Sequence, residues 1–227
     1  IRRFRNTYGE APPWFLVISP TRACNLACTG CYAAAGTDQA DGNVAHLPWD
    51  VLDRVMTEAK ELWGVSLFVF SGGEPLAYRS QGHDLLDAVE KHSDCLFLMF
   101  TNGTLVSEET AHRLRALGNL TPALSVEGLR EATDARRGDG IHQRVLAAMA
   151  RLRMAGVPFG ISVTATGANA EEILSDPVLD FYVDGQGAFY VFVFQYTPIG
   201  RAPDLEWMPS PTQRLAFWRR SWEIIRD

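Results

Sequence analysis

Short apolar runs alternate with amphipathic helical stretches along almost the whole chain, and this rhythm restricts the fold more than any other feature. Residues 14–19 (Trp-Phe-Leu-Val-Ile-Ser) form an apolar run stopped by Pro20, as expected of a buried strand. Residues 48–63 follow, with Leu52, Val55, Met56 and Ala59 at helical spacing. Residues 66–71 read as a strand halted by Gly72-Gly73, 85–91 as a helix, and 96–101 as a strand ending at Asn102-Gly103. Residues 107–117 read as a helix capped by Ser107. The pattern then repeats: strand 122–126, a helix marked by Val145, Ala148, Met149 and Leu152 and ended by Gly156, and strand 159–164. A short irregular helix at 171–174, the very apolar strand 188–195 and a helix at 211–226 complete it.

Six strands separated by helices, each apolar on both faces, predict a parallel sheet covered on both sides. Right-handed crossovers curl such units into an open barrel or wind them into a doubly wound sheet, and periodicity does not separate the two. In both, the C-terminal ends of the strands share one rim, where ligands of such folds bind. With 47% hydrophobic and 21% charged residues among 227, the composition is that of a globular α/β domain and excludes disordered and fibrous classes. The expected division is an N-terminal extension, 1–13, and one core domain, 14–227, with 35–43 as a long mobile loop.

The charge balance, 21 basic against 27 acidic residues for a net −6, gives no basic nucleic-acid stripe, and no base-reading motif is visible. No nucleic-acid partner is expected. No apolar run approaches the about 18 residues of a membrane span, and the basic N-terminus lacks the hydrophobic core of a signal peptide. The chain opens on Ile1 and closes inside a helical run, and therefore reads as a piece of a longer protein.

Cys24, Cys28 and Cys31 fall directly after the first strand, while Cys95 stands apart beside a strand and reads as a buried hydrophobe. Clustered thiols without a secretory signal point to metal chemistry in a reducing, cytoplasmic compartment. Three thiolates leave a structural zinc one ligand short, since no second ligand pair is near. On a [4Fe–4S] cluster, three protein thiolates leave one iron open to a small molecule.

Other rim positions carry polar chemistry. Gly72-Gly73 permits close approach to the backbone, and Glu74 places a carboxylate able to accept hydrogen bonds from an ammonium. Ser125 and Glu127 end the fourth strand with groups suited to ribose hydroxyls. Arg136 and Arg137 precede Gly138, and a guanidinium fork matches a carboxylate. Thr164 and Thr166 bring hydroxyls to the end of the fifth strand. His83, His92, His112 and His142 fall on helices or their flanks and read as surface residues.

The spacing Cys24-x-x-x-Cys28-x-x-Cys31, with Gly72-Gly73-Glu74 one βα unit later, resembles the radical S-adenosylmethionine (SAM) superfamily. The likeness runs from Ser19 to about Arg201. It departs from the family's habit just before the third cysteine, where Gly30 replaces the usual aromatic residue and Tyr32 follows instead. The resemblance implies a partial (βα)6 TIM-like barrel with helices outside and the three cysteines as catalytic metal ligands on a [4Fe–4S] cluster. It further implies SAM contacts from Gly72, Gly73 and Glu74 to the amino group, Ser125 and Glu127 to ribose and methionine, Arg137 to the carboxylate, and Thr164 to adenosine. Gln195, Tyr196 and Arg201 would face substrate. The implied activity is reductive cleavage of SAM to a 5′-deoxyadenosyl radical that abstracts hydrogen from an organic substrate (a peptide, lipid or small molecule), with electrons from ferredoxin or flavodoxin. The segment 198–201 is similar to members that carry a SPASM-like C-terminal domain, which would be absent from this chain. The competing reading is a non-catalytic iron–sulfur or zinc-binding module on the same fold.

Overall fold

A computed structural model describes residues 2–35 and 45–226. Most of the expected 35–43 loop lies outside the described residues. Six parallel strands form one sheet: β1 (Phe15–Ile18), β2 (Leu67–Phe70), β3 (Leu96–Thr101), β4 (Leu120–Ser125), β5 (Gly160–Ala165) and β6 (Val191–Gln195). They pair strictly in chain order, β1 to β6, so the chain climbs around the sheet without reversing direction. That order settles the topology as a curled half-barrel, since a doubly wound sheet needs a switch point in the strand order.

Alternation along each strand divides the side chains. Phe68, Phe70, Phe97, Met99, Leu124, Ile161 and Val163 turn outward and are buried under the helices. The rings of Phe70 and Phe97 stack 5.6 Å apart across neighbouring strands. The covering helices α2 (Trp49–Glu58), α4 (Glu108–Leu117) and α6 (Ile141–Ala155) supply Leu52, Met56, Leu114, Val145, Met149 and Leu152 to the same core. Local signals set the helix ends: Ser107 Oγ accepts from Thr110 N at 3.1 Å, and Gly156 closes α6 with φ +73°.

The concave face is less covered than expected. β6 is an edge strand, and Phe192 and Phe194 are 40% and 45% exposed; at the opposite edge Val17 is 54% exposed. Among the described residues no further strand pairs with either edge to cover these side chains, which is why apolar composition alone misreads their environment.

Other elements differ from expectation as well. α5 (Arg130–Arg137) has no apolar stripe and buries only Thr133, so periodicity could not reveal it. The segment 171–174 forms turns, and helix α7 begins at Asp176. A short helix α1 (Arg2–Tyr8) precedes β1, α3 (Leu85–Lys91) carries an Asp84/Asp87 capping box, and α8 (Pro211–Arg226) closes the chain. His92 and His142 are buried rather than superficial: the first bonds Asp53 and Lys60, the second the Tyr182 hydroxyl. Cys95 is buried as expected. Among the described residues, no helix is long and apolar enough to cross a membrane.

Candidate active site

The rim formed by the C-terminal strand ends borders a cavity of about 450 Å3, within the range of small-molecule sites. Cys24, Cys28, Cys31, Gly72, Gly73, Glu74, Ser125, Arg137 and Thr164 all line it, as do Arg136, Tyr32, Asn102 and Ser162. Val17, Val69, Phe100 and Phe194 provide an apolar floor.

The cysteine loop follows β1 and is tied at once to the next strand tip. Gly73 N donates to Thr21 O at 2.9 Å, and Glu74 N to Ala23 O at 2.7 Å. A Cβ on Gly73 would lie 2.2 Å from Ala23 O, and one on Gly72 2.8 Å from the Ser19 Cβ. What approaches these glycines so closely is the cysteine loop itself, so their first role is to let two rim loops touch. Tyr32 closes the other side of the contact, its hydroxyl 2.7 Å from Ser71 Oγ and accepting from Gly72 N at 3.0 Å.

Glu74 is 1% exposed yet lines the cavity, and three donors hold it there. Its Oε1 accepts from Thr101 Oγ1 (2.7 Å) and Leu76 N (3.1 Å), and its Oε2 from Asn102 N (2.8 Å). Burial pushes its pKa up, with these three hydrogen bonds and Arg137 opposing. Asn102, at the tip of β3, also donates to Asn25 Oδ1 at 2.9 Å and reaches Cys24 Sγ at 3.8 Å. It thus links carboxylate and thiol.

A second charged centre stands opposite. Glu127 lies behind the cavity wall, 1% exposed; its Oε1 accepts from Arg137 Nε at 2.9 Å and Nη2 at 2.5 Å, and it pairs by charge alone with Arg136 Nη1 at 2.7 Å. Its Oε2 accepts from Thr164 N at 3.3 Å. One carboxylate serving two guanidinium groups leaves a net positive charge facing the cavity. Burial works against the Arg137 charge, but Glu127 and Cys28 hold its pKa above the ordinary value. Burial also raises the Cys28 thiol, and Arg137 and Arg136 pull it back; Cys24 is raised by burial and by the nearby Glu74. Ser125 and Ser162 hydroxyls meet at 3.1 Å on the wall between these centres.

Glu127 is therefore placed one layer behind the cavity: Arg136, Arg137 and Thr164, which line it, stand on the carboxylate's oxygens. Arg201 is also displaced from its expected place toward substrate: its guanidinium donates to Cys28 O at 2.9 Å and to Ala35 O. Two contributors left no sequence signal. Asn169, 5% exposed, donates to Glu127 O and Thr164 O and so splints the tips of β4 and β5. Trp207, with Tyr196, packs rings 3.1 Å from where a Gly30 Cβ would sit.

Three thiols on one cavity fit a cluster with one open iron, whereas a structural zinc would want a fourth ligand. None of the four cysteines is disulfide-bonded. Among the described residues, no three His, Cys, Asp or Glu side chains converge tightly enough for one metal ion. A cubane takes each thiolate on a different corner iron, which needs the three thiols around one cavity rather than on one point.

A half-barrel with a thiol loop at its rim defines a class, and comparison with known proteins identifies it. Residues 18–176 match the model of the Radical SAM superfamily. The chain belongs to that superfamily, whose members use a [4Fe–4S] cluster and SAM. It is 31% identical over 203 residues to an AdoMet-dependent heme synthase of Methanosarcina barkeri, covering 87% of this chain and 55% of that protein. It is 29% identical to the mycofactocin maturase MftC of Mycobacterium ulcerans, covering 93% and 55%. The fold matches Streptococcus suis SuiB bound to its precursor peptide SuiA, with a TM-score of 0.79 and 21% identity over 99% of this chain and 50% of that one. The chain thus spans about half the length of the relatives it matches.

Proposed function

We propose that this chain is the SAM-cleaving core of a radical SAM enzyme, in which Cys24, Cys28 and Cys31 hold a [4Fe–4S] cluster. The observation that carries this reading is the convergence of three half-buried thiols, a Gly-Gly-Glu tip and a cationic wall on one cavity. When bound, the cluster supplies an open iron and the electron that breaks the sulfonium C–S bond of SAM. The chain's own residues bind and orient. Glu74, kept in place by three donors, accepts the SAM ammonium; Arg137, with Arg136 beside it, pairs with the carboxylate; Ser125 and Thr164 take ribose and adenosine contacts. Glu127 acts one layer back by holding both arginines at the wall. Phe100, Phe194 and Val17 present an apolar floor that receives the apolar part of an organic substrate, whose binding would cover these side chains.

Relatives bracket that substrate, since they include a heme synthase, a mycofactocin maturase and SuiB, which binds a precursor peptide. The electrons come from a small reductant protein such as ferredoxin or flavodoxin, and reduced thiols fit a cytoplasmic setting. In the test, the chain is reconstituted anaerobically, incubated with SAM and a strong reductant, and assayed for 5′-deoxyadenosine. The wild type forms it and Cys28→Ala does not. Equal formation by both would refute the assignment. One bound zinc per chain with no response to SAM would establish the non-catalytic alternative.

A further inference from the structure

Between Cys28 and Ala35 the chain makes no regular secondary structure, so its backbone groups need partners from elsewhere. Two arginines remote in sequence provide them. From one side, Arg136 accepts from Thr29 N through its own carbonyl at 3.0 Å, while its guanidinium donates to Thr29 O at 3.2 Å and Gly30 O at 3.4 Å. From the other side, Arg201 donates to Cys31 O through its backbone N at 2.9 Å. Its guanidinium spans from Cys28 O to Ala35 O, bracketing the turn that carries Cys28 and Cys31. Gly200, at φ +83°, makes the approach possible, because a Cβ there would lie 2.2 Å from Cys31 O and 2.4 Å from Tyr32 O. Cys28, Thr29, Gly30 and Cys31 thus have every carbonyl engaged by one of the two arginines.

We propose that Arg201, seated by Gly200, is a positioning residue that holds the Cys28–Cys31 turn in its ligand-ready shape before any cluster arrives, with Arg136 as its counterpart on the far side. This rests on the cluster-binding reading above and extends it to the chain that follows β6. The arrangement couples the end of the barrel to its first loop: whatever moves the segment after Gln195 moves the thiol turn. A guanidinium suits the task because its planar fork reaches two carbonyls at once, whereas an ammonium is a single point.

Amide hydrogen exchange on the cluster-free chain tests this without relying on activity. In Arg201→Ala, the amides of residues 29–34 should exchange about tenfold faster or more, while those of β3 and β4 keep wild-type rates. Arg201→Lys, with one donor group for two carbonyls, should fall between. Alkylation of Cys28 and Cys31 should accelerate in parallel, and iron uptake on reconstitution should drop in the same order. Wild-type exchange in 29–34 for both variants would overturn the proposal. So would equal loosening of β3 and β4 in both, since that would show general packing rather than positioning. If the wild type fails to take up a cluster while the exchange differences appear, the cluster reading fails and the positioning role stands.

Discussion

Replacing Glu127 by Gln removes the single anion from a buried group of three charges. The structure sets the size of the effect. Glu127 is 1% exposed, the two arginine side chains 13% each, and one carboxylate oxygen receives three guanidinium nitrogens at 2.5–2.9 Å. Breaking a buried pair by removing one partner costs about 3–5 kcal/mol, because the remaining charge is left without compensation. For a chain of this size each kcal/mol moves Tm by roughly 2–4 °C, so Glu127→Gln should lower it by about 6–20 °C. Thermal unfolding followed by circular dichroism at pH 7 measures the shift. Arg54→Ala serves as contrast: its 3.9 Å pair with Glu58 is exposed (67% and 59%) and should matter by less than about 1 kcal/mol. A Glu127→Gln melting curve within 2 °C of wild type, on the scale above, would refute the claim that this carboxylate holds the cationic wall.

Other outcomes follow from the same structure. Gly73→Ala should cost about 3 kcal/mol or more in thermal unfolding, since its Cβ would lie 2.2 Å from Ala23 O and the atoms it meets are all backbone, which cannot swing aside. Cys95→Ala should lower stability by about 1–2 kcal/mol, because it empties a buried site, yet leave iron content on reconstitution unchanged. Burial holds His142 below its ordinary pKa of 6.5, so the unfolded chain takes up that proton first on acidification. The stability it contributes is present above pH 6.5 and is lost as pH falls through the lower folded value. Melting temperatures from pH 7.5 to 5 should therefore fall less steeply in His142→Gln, which keeps a partner for the Tyr182 hydroxyl, than in the wild type. A slope equal to the wild type's would contradict this. Glu74, raised by burial, acts with the opposite sign above its ordinary 4.5 and is common to both proteins, so the difference isolates His142.

The sheet was legible in the sequence because each strand's outer face is packed by a helix, and the resulting apolar runs at 67–70, 96–101 and 160–165 are hard to read otherwise. Helix α5 was not legible: it lies on the rim, bonded through Thr133 and its arginines, and shows no apolar period. The exposure of Phe192 and Phe194 follows from an unclosed edge, which is a property of strand count rather than of local composition. At the site, the thiol spacing and Gly72-Gly73-Glu74 carried their own signal, since those contacts join neighbouring βα units. The Glu127 and Arg201 roles depend on contacts spanning 10 and 173 residues, where one alternative rotamer or partner would serve a different end. The histidines were misread for a related reason: position on a helix says little about which face a neighbour covers, and His92 and His142 both turned inward.

Iron and sulfide counting on the anaerobically reconstituted chain, followed by a spectrum of the reduced protein before and after SAM, tests the central claim most directly. The account predicts about four irons and four sulfides per chain and a spectrum that SAM perturbs, all lost in the Cys24→Ala, Cys28→Ala and Cys31→Ala variants. Full cluster content in any of those variants, or a wild-type spectrum indifferent to SAM, would contradict it.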